Sequence, residues 1–154
     1  MKRLSWKYIA GLIDGEGCID FQYVYQKPPY DKGRKYITPR LRITLSRGEF
    51  VLNNLHENFG GAMNTRKFCN NSWSIAHTWQ IQGKKVRPFF QNIVKHLYIK
   101  QEQCRFCIWV IDNVMGRQVD ATVTQCAIDE LKAMKVDPHR LSEKAALKVS
   151  ALMR

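Results

Sequence analysis

The hydrophobic positions change period several times along the chain. From Leu4 to Ile13 apolar residues recur at helical spacing, with Trp6, Ile9 and Ile13 on one stripe and Ser5 placed to cap the helix. The stripe breaks at Asp14-Gly15-Glu16-Gly17, where the two glycines are expected to release the chain from the helix. Period two follows. Ile19, Phe21, Tyr23 and Tyr25 alternate with Asp20, Gln22, Val24 and Gln26, which predicts a strand. A Pro28-Pro29 loop carrying Lys27, Lys32, Arg34 and Lys35 leads to a second strand from about Tyr36 to Leu45. There Ile37, Leu41 and Ile43 alternate with Thr38, Arg40, Arg42 and Thr44.

Helical spacing returns from Glu49 to Phe59 and stops at Gly60-Gly61. Two further strands are expected, near Ala62 to Phe68 and Trp73 to Gln82, joined by a turn at Asn70-Asn71. Helices are then expected over Lys84 to Tyr98, Gln101 to Val114, Ala121 to Lys135 and Ser142 to Met153. Helix, two strands, helix, two strands, helices is an α+β order with an antiparallel sheet. The expectation is one domain over residues 1–154, with a core of about 4–114 and a helical tail of about 120–154.

Charge narrows the function classes. The formal net charge is +12, with 45% hydrophobic and 25% charged residues, an ordinary globular balance with a strong basic excess. Nucleic-acid phosphate is the leading counter-charge and an anionic membrane surface the second. No apolar run approaches the roughly 18 residues that a membrane span needs. Met1-Lys2-Arg3 is not followed by a signal-peptide core, so an intracellular, reducing compartment is expected. The odd number of cysteines, five, agrees with free thiols. Cys104 and Cys107 have zinc-like spacing but no second ligand pair, and on a helix that spacing puts both on one buried face.

The first hairpin carries the charge bias. Between Phe21 and Arg47 the only acid is Asp31, against Lys27, Lys32, Arg34, Lys35, Arg40, Arg42 and Arg47. Its outward side chains, Gln22, Gln26, Thr38, Arg40, Arg42 and Thr44, are types that bond base edges and phosphates. A two-stranded ribbon also fits the DNA major groove.

The most specific string is Tyr8-Ile9-Ala10-Gly11-Leu12-Ile13-Asp14-Gly15-Glu16-Gly17-Cys18-Ile19. It resembles the signature of the LAGLIDADG homing endonucleases, with Ile9 in place of Leu and Glu16 in place of Asp. Glutamate is still a hard oxygen ligand, although its carboxylate reaches further out. By helical spacing Ala10, Gly11 and Asp14 share a surface, and the small residues there let another backbone approach, which suggests a second copy. Asn58 to Gly61, Trp79 to Ile81 and Leu97 to Gln103 are also similar to the family.

The resemblance implies an αββαββα fold whose saddle-shaped antiparallel sheet binds double-stranded DNA, with extra C-terminal helices. It implies a homodimer joined through Ala10, Gly11 and Asp14, cutting both strands at a long, near-palindromic site in the course of intron homing. Glu16, with the Gly15 carbonyl, would hold Mg²⁺. Mn²⁺ is expected to substitute, and Ca²⁺ to support binding without cleavage. Lys100 matches a basic active-site position. Where relatives place a water-orienting polar residue, this chain has Leu45, Ser46 and Arg47, of which Ser46 and Arg47 are the candidates. The implied DNA contacts are Asp20, Gln22, Gln26, Lys27, Tyr36, Thr38, Arg40, Arg42, Thr44, Asn64, Arg66, Lys67, Thr78 and Gln80. A catalytically silent DNA-binding regulator or an RNA maturase on the same scaffold is the alternative. A small structural RNA-binding protein lacks support, since no aromatic RNA-binding pattern is present.

Overall fold

The computed structural model describes residues 2–25, 35–67, 75–117 and 119–153. Helix α1 spans Trp6–Glu16 and is capped by Ser5, whose hydroxyl accepts from the Tyr8 N–H. It runs three residues beyond the expected end at Ile13, so Gly15 and Glu16 are helical. The chain turns out at Gly17 for want of space. A Cβ there would stand 2.8 Å from the Ile13 carbonyl oxygen. Glu16 is therefore held in the last helical turn, immediately before β1 (Gly17–Tyr25).

Strand β2 (Lys35–Leu45) runs antiparallel to β1, with Ile19 opposite Leu41 and Asp20 opposite Arg40. Helix α2 (Glu49–Phe59) has its expected bounds and ends at Gly60, whose φ of 70° suits glycine. Strands β3 (Ala62–Lys67) and β4 (Ile75–Gln82) complete an antiparallel sheet of order β1-β2-β4-β3. The loop at Pro28-Pro29 and the turn at Asn70-Asn71 lie outside the described residues.

The helix expected over Lys84 to Tyr98 is shorter. Only Val86–Ile93 forms α3, with 3₁₀ turns on either side, and the backbone at Leu97 is extended. Helices α4 (Gln101–Asn113), α5 (Ala121–Val136) and α6 (Ser142–Met153) follow. Among the described residues no helix is long and apolar enough to cross a membrane.

One face of the sheet is apolar. Ile19, Ile37, Leu41, Ile43, Trp79 and Ile81 are buried there, in one cluster with Ile9 and Ile13 of α1, Phe90 of α3 and Phe106 of α4. Each such side chain contributes roughly 1.5–3 kcal/mol by leaving water. Val123, Leu131, Met134 and Val149 of α5 and α6 join the same cluster. Buried Glu130 accepts from Arg140 at 2.6 and 2.9 Å and from Lys148 at 3.1 Å, tying α5 to the segment that follows it. Burial alone would raise the Glu130 carboxyl, but those hydrogen bonds outweigh it and hold the group below the usual carboxylate range. Cys104 and Cys107 are buried in the core, and desolvation pushes both thiols up, the opposite of a thiolate metal site.

Candidate functional site

The helix α1 presents two unlike faces. Ile9, Ala10 and Ile13 are fully buried against the rest of the chain, while Tyr8, Gly11 and Gly15 are exposed. Ala10 therefore packs into its own core and does not share an open surface with Gly11, contrary to the expectation from helical spacing. Residues 8, 11 and 15 fall on one helical face by their spacing of three and four. A Cβ built at Gly11 or Gly15 meets no atom within 4 Å. Among the described residues nothing packs against either glycine, and each costs about 1 kcal/mol relative to Ala in a helix.

Asp14 is occupied within the chain as well. Its carboxylate accepts from the backbone N–H of Tyr98 at 2.8 Å and of Lys100 at 2.9 Å, which holds the Leu97–Lys100 turn against α1. That anchorage leaves Tyr98 92% and Ile99 52% exposed beside the open face of α1. Asp14 thus has an intrachain role that its spacing with Ala10 and Gly11 does not indicate.

The same turn delivers Lys100. Its Nζ donates to the Ile13 carbonyl at 2.8 Å and to the Asp14 carbonyl at 2.6 Å. A cation at these last carbonyls suits the negative end of the helix dipole. Two of the three ammonium protons are thus used and one is left. Burial pulls the Lys100 ammonium below the ordinary lysine value, against the opposing charges of Asp14 and Glu16. Glu16 is exposed, and among the described residues its carboxylate takes part in no hydrogen bond or ion pair. No donor from the described backbone reaches the Gly15 carbonyl. Two oxygen donors are thereby open at one helix end. Among the described residues no three His, Cys, Asp or Glu side chains cluster tightly enough to hold a metal. Since Gly17 pairs with Ile43, the exposed Ser46 and Arg47, just past β2, lie at the same edge of the sheet as Glu16.

The other face of the sheet is polar. By register and alternation it carries Asp20 and Gln22 of β1, Tyr36, Thr38, Arg40, Arg42 and Thr44 of β2, Thr78 and Gln80 of β4, and Asn64 and Arg66 of β3. Asp20 takes Arg40 in a bidentate pair, both bonds 2.9 Å, and Arg42 at 3.1 Å. Those bonds raise the Arg40 pKa further above its ordinary value and fix the direction of its guanidinium. Thr44 and Thr78 share a hydroxyl hydrogen bond of 2.9 Å. Thr38 is on this face but only 9% exposed, beside Gly83 at the end of β4. Lys67 has the opposite parity from Asn64 and Arg66, so alternation turns it to the helical side. Gln26 and Lys27 lie outside the described residues.

Two sets of residues lie outside the expected partner-facing surface. Tyr8 and Gly15 follow from Gly11 by counting three back and four on, a signal the sequence does hold. The exposed pair Tyr98-Ile99 has none, because its position depends on the long-range contacts with Asp14.

The family model described as LAGLIDADG endonuclease matches residues 9–113. No curated protein matches the chain. Among solved structures, the homing endonuclease I-CvuI in complex with its target superposes with a TM-score of 0.65 at 17% identity, over 96% of this chain and 93% of that one. The homing endonuclease I-TnaI gives 0.56 at 17%, over 99% and 100%. I-SmaMI bound to an uncleaved DNA target with calcium ions gives 0.57 at 19%, over 96% of this chain but 49% of that chain. With the motif helix, the four-stranded sheet and more than half of its length matched, the chain belongs to the LAGLIDADG endonuclease family.

Proposed function

We propose that the chain is a homodimeric DNA endonuclease that cuts both strands of a long, near-palindromic duplex site in a divalent-metal-dependent reaction, in the service of intron homing. The observation that carries the reading is the end of α1. There an open carboxylate, Glu16, an open Gly15 carbonyl and the Lys100 ammonium converge at the edge of a polar sheet face. That DNA is bound in the I-CvuI and I-SmaMI structures supports the same reading.

The Glu16 carboxylate and Gly15 carbonyl are the hard oxygen donors that Mg²⁺ takes, with Mn²⁺ as a substitute and Ca²⁺ supporting binding alone. When bound, the metal supplies a Lewis acid that activates water and offsets charge at the scissile phosphate. One chain offers too few ligands, and a second α1 brought face to face doubles the set. The open Tyr8/Gly11/Gly15 face admits such a partner closely, and the exposed Tyr98 and Ile99 would extend the contact. That this chain spans half of I-SmaMI also fits an assembly of two such units. Lys100 directs its remaining N–H at the phosphate oxygens, and Ser46 or Arg47 orients water from the end of β2.

Lys100→Met keeps most of the stem and removes the charge. Single-turnover cleavage should fall about 100-fold or more, the effect of deleting one preorganised electrostatic donor. Affinity in Ca²⁺ should change only a few-fold. Because the variant also unpairs two carbonyls, a melting curve must show that it is folded. Equal losses of rate and affinity would reduce Lys100 to an ordinary phosphate contact.

On the sheet, Asp20 sets Arg40 and Arg42 to read base edges. Arg40→Ala should weaken binding by about 1–3 kcal/mol and relax preference at one position in each half-site. Asp20→Asn should produce part of the same loss, and the double variant should lose less than the sum, because the two side chains act as one unit. Additive losses would contradict that unit. An unchanged cleavage profile in both Arg40→Ala and Arg42→Ala would remove this face from recognition.

The experiment for the whole reading selects a duplex from a randomised library by binding in Ca²⁺, then exchanges the metal for Mg²⁺. Cleavage of both strands is expected. Tight binding with no cleavage in Mg²⁺ or Mn²⁺ would fit a silent DNA-binding regulator or a maturase instead.

A further inference from the structure

Helix α5 lies beyond residues 9–113, the stretch that matches the family model, yet it packs against β1 and β2. Its last turn reaches the residue that follows Glu16-Gly17. Lys135 Nζ donates to Cys18 Sγ at 3.7 Å, a contact between positions 117 residues apart. A thiol is a weak acceptor, so it gives an ammonium little reason to be there. Among the described residues no carboxylate lies within ion-pair range of Lys135.

Other cations gather at the same place. Arg42 Nη2 is 3.9 Å from the Cys18 sulfur. The Lys100 ammonium is near enough for the charge of Lys135 to oppose its own. Two acids nearby are already engaged, Asp20 by Arg40 and Arg42 and Asp14 by two backbone N–H groups. Of these three neighbouring acids, Glu16 alone has no hydrogen bond or ion pair among the described residues. Like charges held together repel, and the repulsion is relieved when an anion enters between them. The helix turn that carries Lys135 is fixed by the core, because Leu131 and Met134 on the same helix are buried and Glu130 anchors the helix to the segment after it. Its place in the last turn also suits the helix dipole, but that effect does not direct the ammonium to Cys18.

We propose that Lys135 is a second cationic residue of the reaction centre, which contacts the scissile phosphate beside Lys100 and is contributed by the C-terminal helices. The inference rests on the endonuclease reading above and deepens it. Two cations at one phosphate, Lys100 and Lys135, would share the charge that develops as the phosphodiester is attacked.

The test compares wild type, Lys135→Met and Lys135→Arg on a selected duplex. Affinity is measured in Ca²⁺ over a range of salt, and single-turnover cleavage in Mg²⁺ at saturating enzyme. In Lys135→Met the slope of log affinity against log salt should fall by about 1 per subunit. The cleavage rate should fall about 10- to 100-fold. Lys135→Arg should restore the slope and most of the rate. An unchanged slope would overturn the proposal, whatever happens to the rate, as would a rate that arginine does not rescue. If wild type binds but never cleaves, the endonuclease reading fails, and the salt slope still decides whether Lys135 meets a phosphate.

Discussion

Glu16→Gln should give a protein that folds, binds DNA and does not cut it. Glutamine keeps the size of the side chain and removes the anionic oxygen that a hard divalent cation requires. Changes even to the outer shell of a metal site typically lose 10- to 100-fold, so losing a direct ligand should lower cleavage by more than about 100-fold. Folding should not suffer, since the Glu16 carboxylate has no hydrogen bond or ion pair among the described residues. A carboxylate at the negative end of a helix is unfavourable by about 0.3–1 kcal/mol, and the attraction of Glu16 to the Lys100 ammonium opposes that, so the variant should melt close to wild type. Binding in the absence of metal should hold or tighten, because two carboxylates facing phosphate are gone. Glu16→Asp should keep partial activity with a shortened reach. A Glu16→Gln variant that cuts at the wild-type rate would remove Glu16 from the reaction, as read by a gel assay with and without Mg²⁺.

Gly11→Leu should split the dimer while leaving the monomer at least as stable. The site is open within one chain, with no atom within 4 Å of where a Cβ would stand, so the larger residue meets nothing there. Replacing a helical glycine should even gain up to about 1 kcal/mol of monomer stability. Against a second α1 the same side chain overpacks, at about 1–3 kcal/mol or more. That corresponds to dimerisation weakened roughly 5- to 100-fold, at 1.4 kcal/mol per factor of ten. Sedimentation should show a monomer where wild type shows a dimer, and double-strand cleavage should disappear with it. A Gly11→Leu dimer of unchanged affinity would place the interface elsewhere. Opposite signs for monomer stability and assembly distinguish a glycine kept for the interface from one retained for local folding.

How far the sequence can be read depends on the range of the interaction. Helix α2 and the alternation in β1 and β2 follow from local periodicity, and the structure has them with little or no shift. The end of α1 does not follow, because a glycine in a last helical turn and a glycine that stops a helix look alike. Gly17 is the true stop, and the reason is its approach to the Ile13 carbonyl, which only the folded path reveals. Ala10 and Gly11 are both small and adjacent, so composition alone cannot say which faces the core. The position of the sheet decides it. Asp14 finds its partners 84 and 86 residues away, and Asp20 meets Arg40 only once the strand register is set. Lys67 falls off the polar face of the sheet because period two allows no drift. One residue beyond Arg66 is the other face of the sheet.

Whether this chain, as a two-fold dimer, cuts both strands of DNA is tested most directly by incubating the protein with a randomised duplex library in Mg²⁺ and sequencing the cut ends. The expected result is cuts on both strands at a fixed offset from one another, centred within a long site whose two halves are related by inversion, and none in Ca²⁺. Cut ends without an inverted repeat, or no cut ends in Mg²⁺ above those of the Glu16→Gln variant, would contradict it.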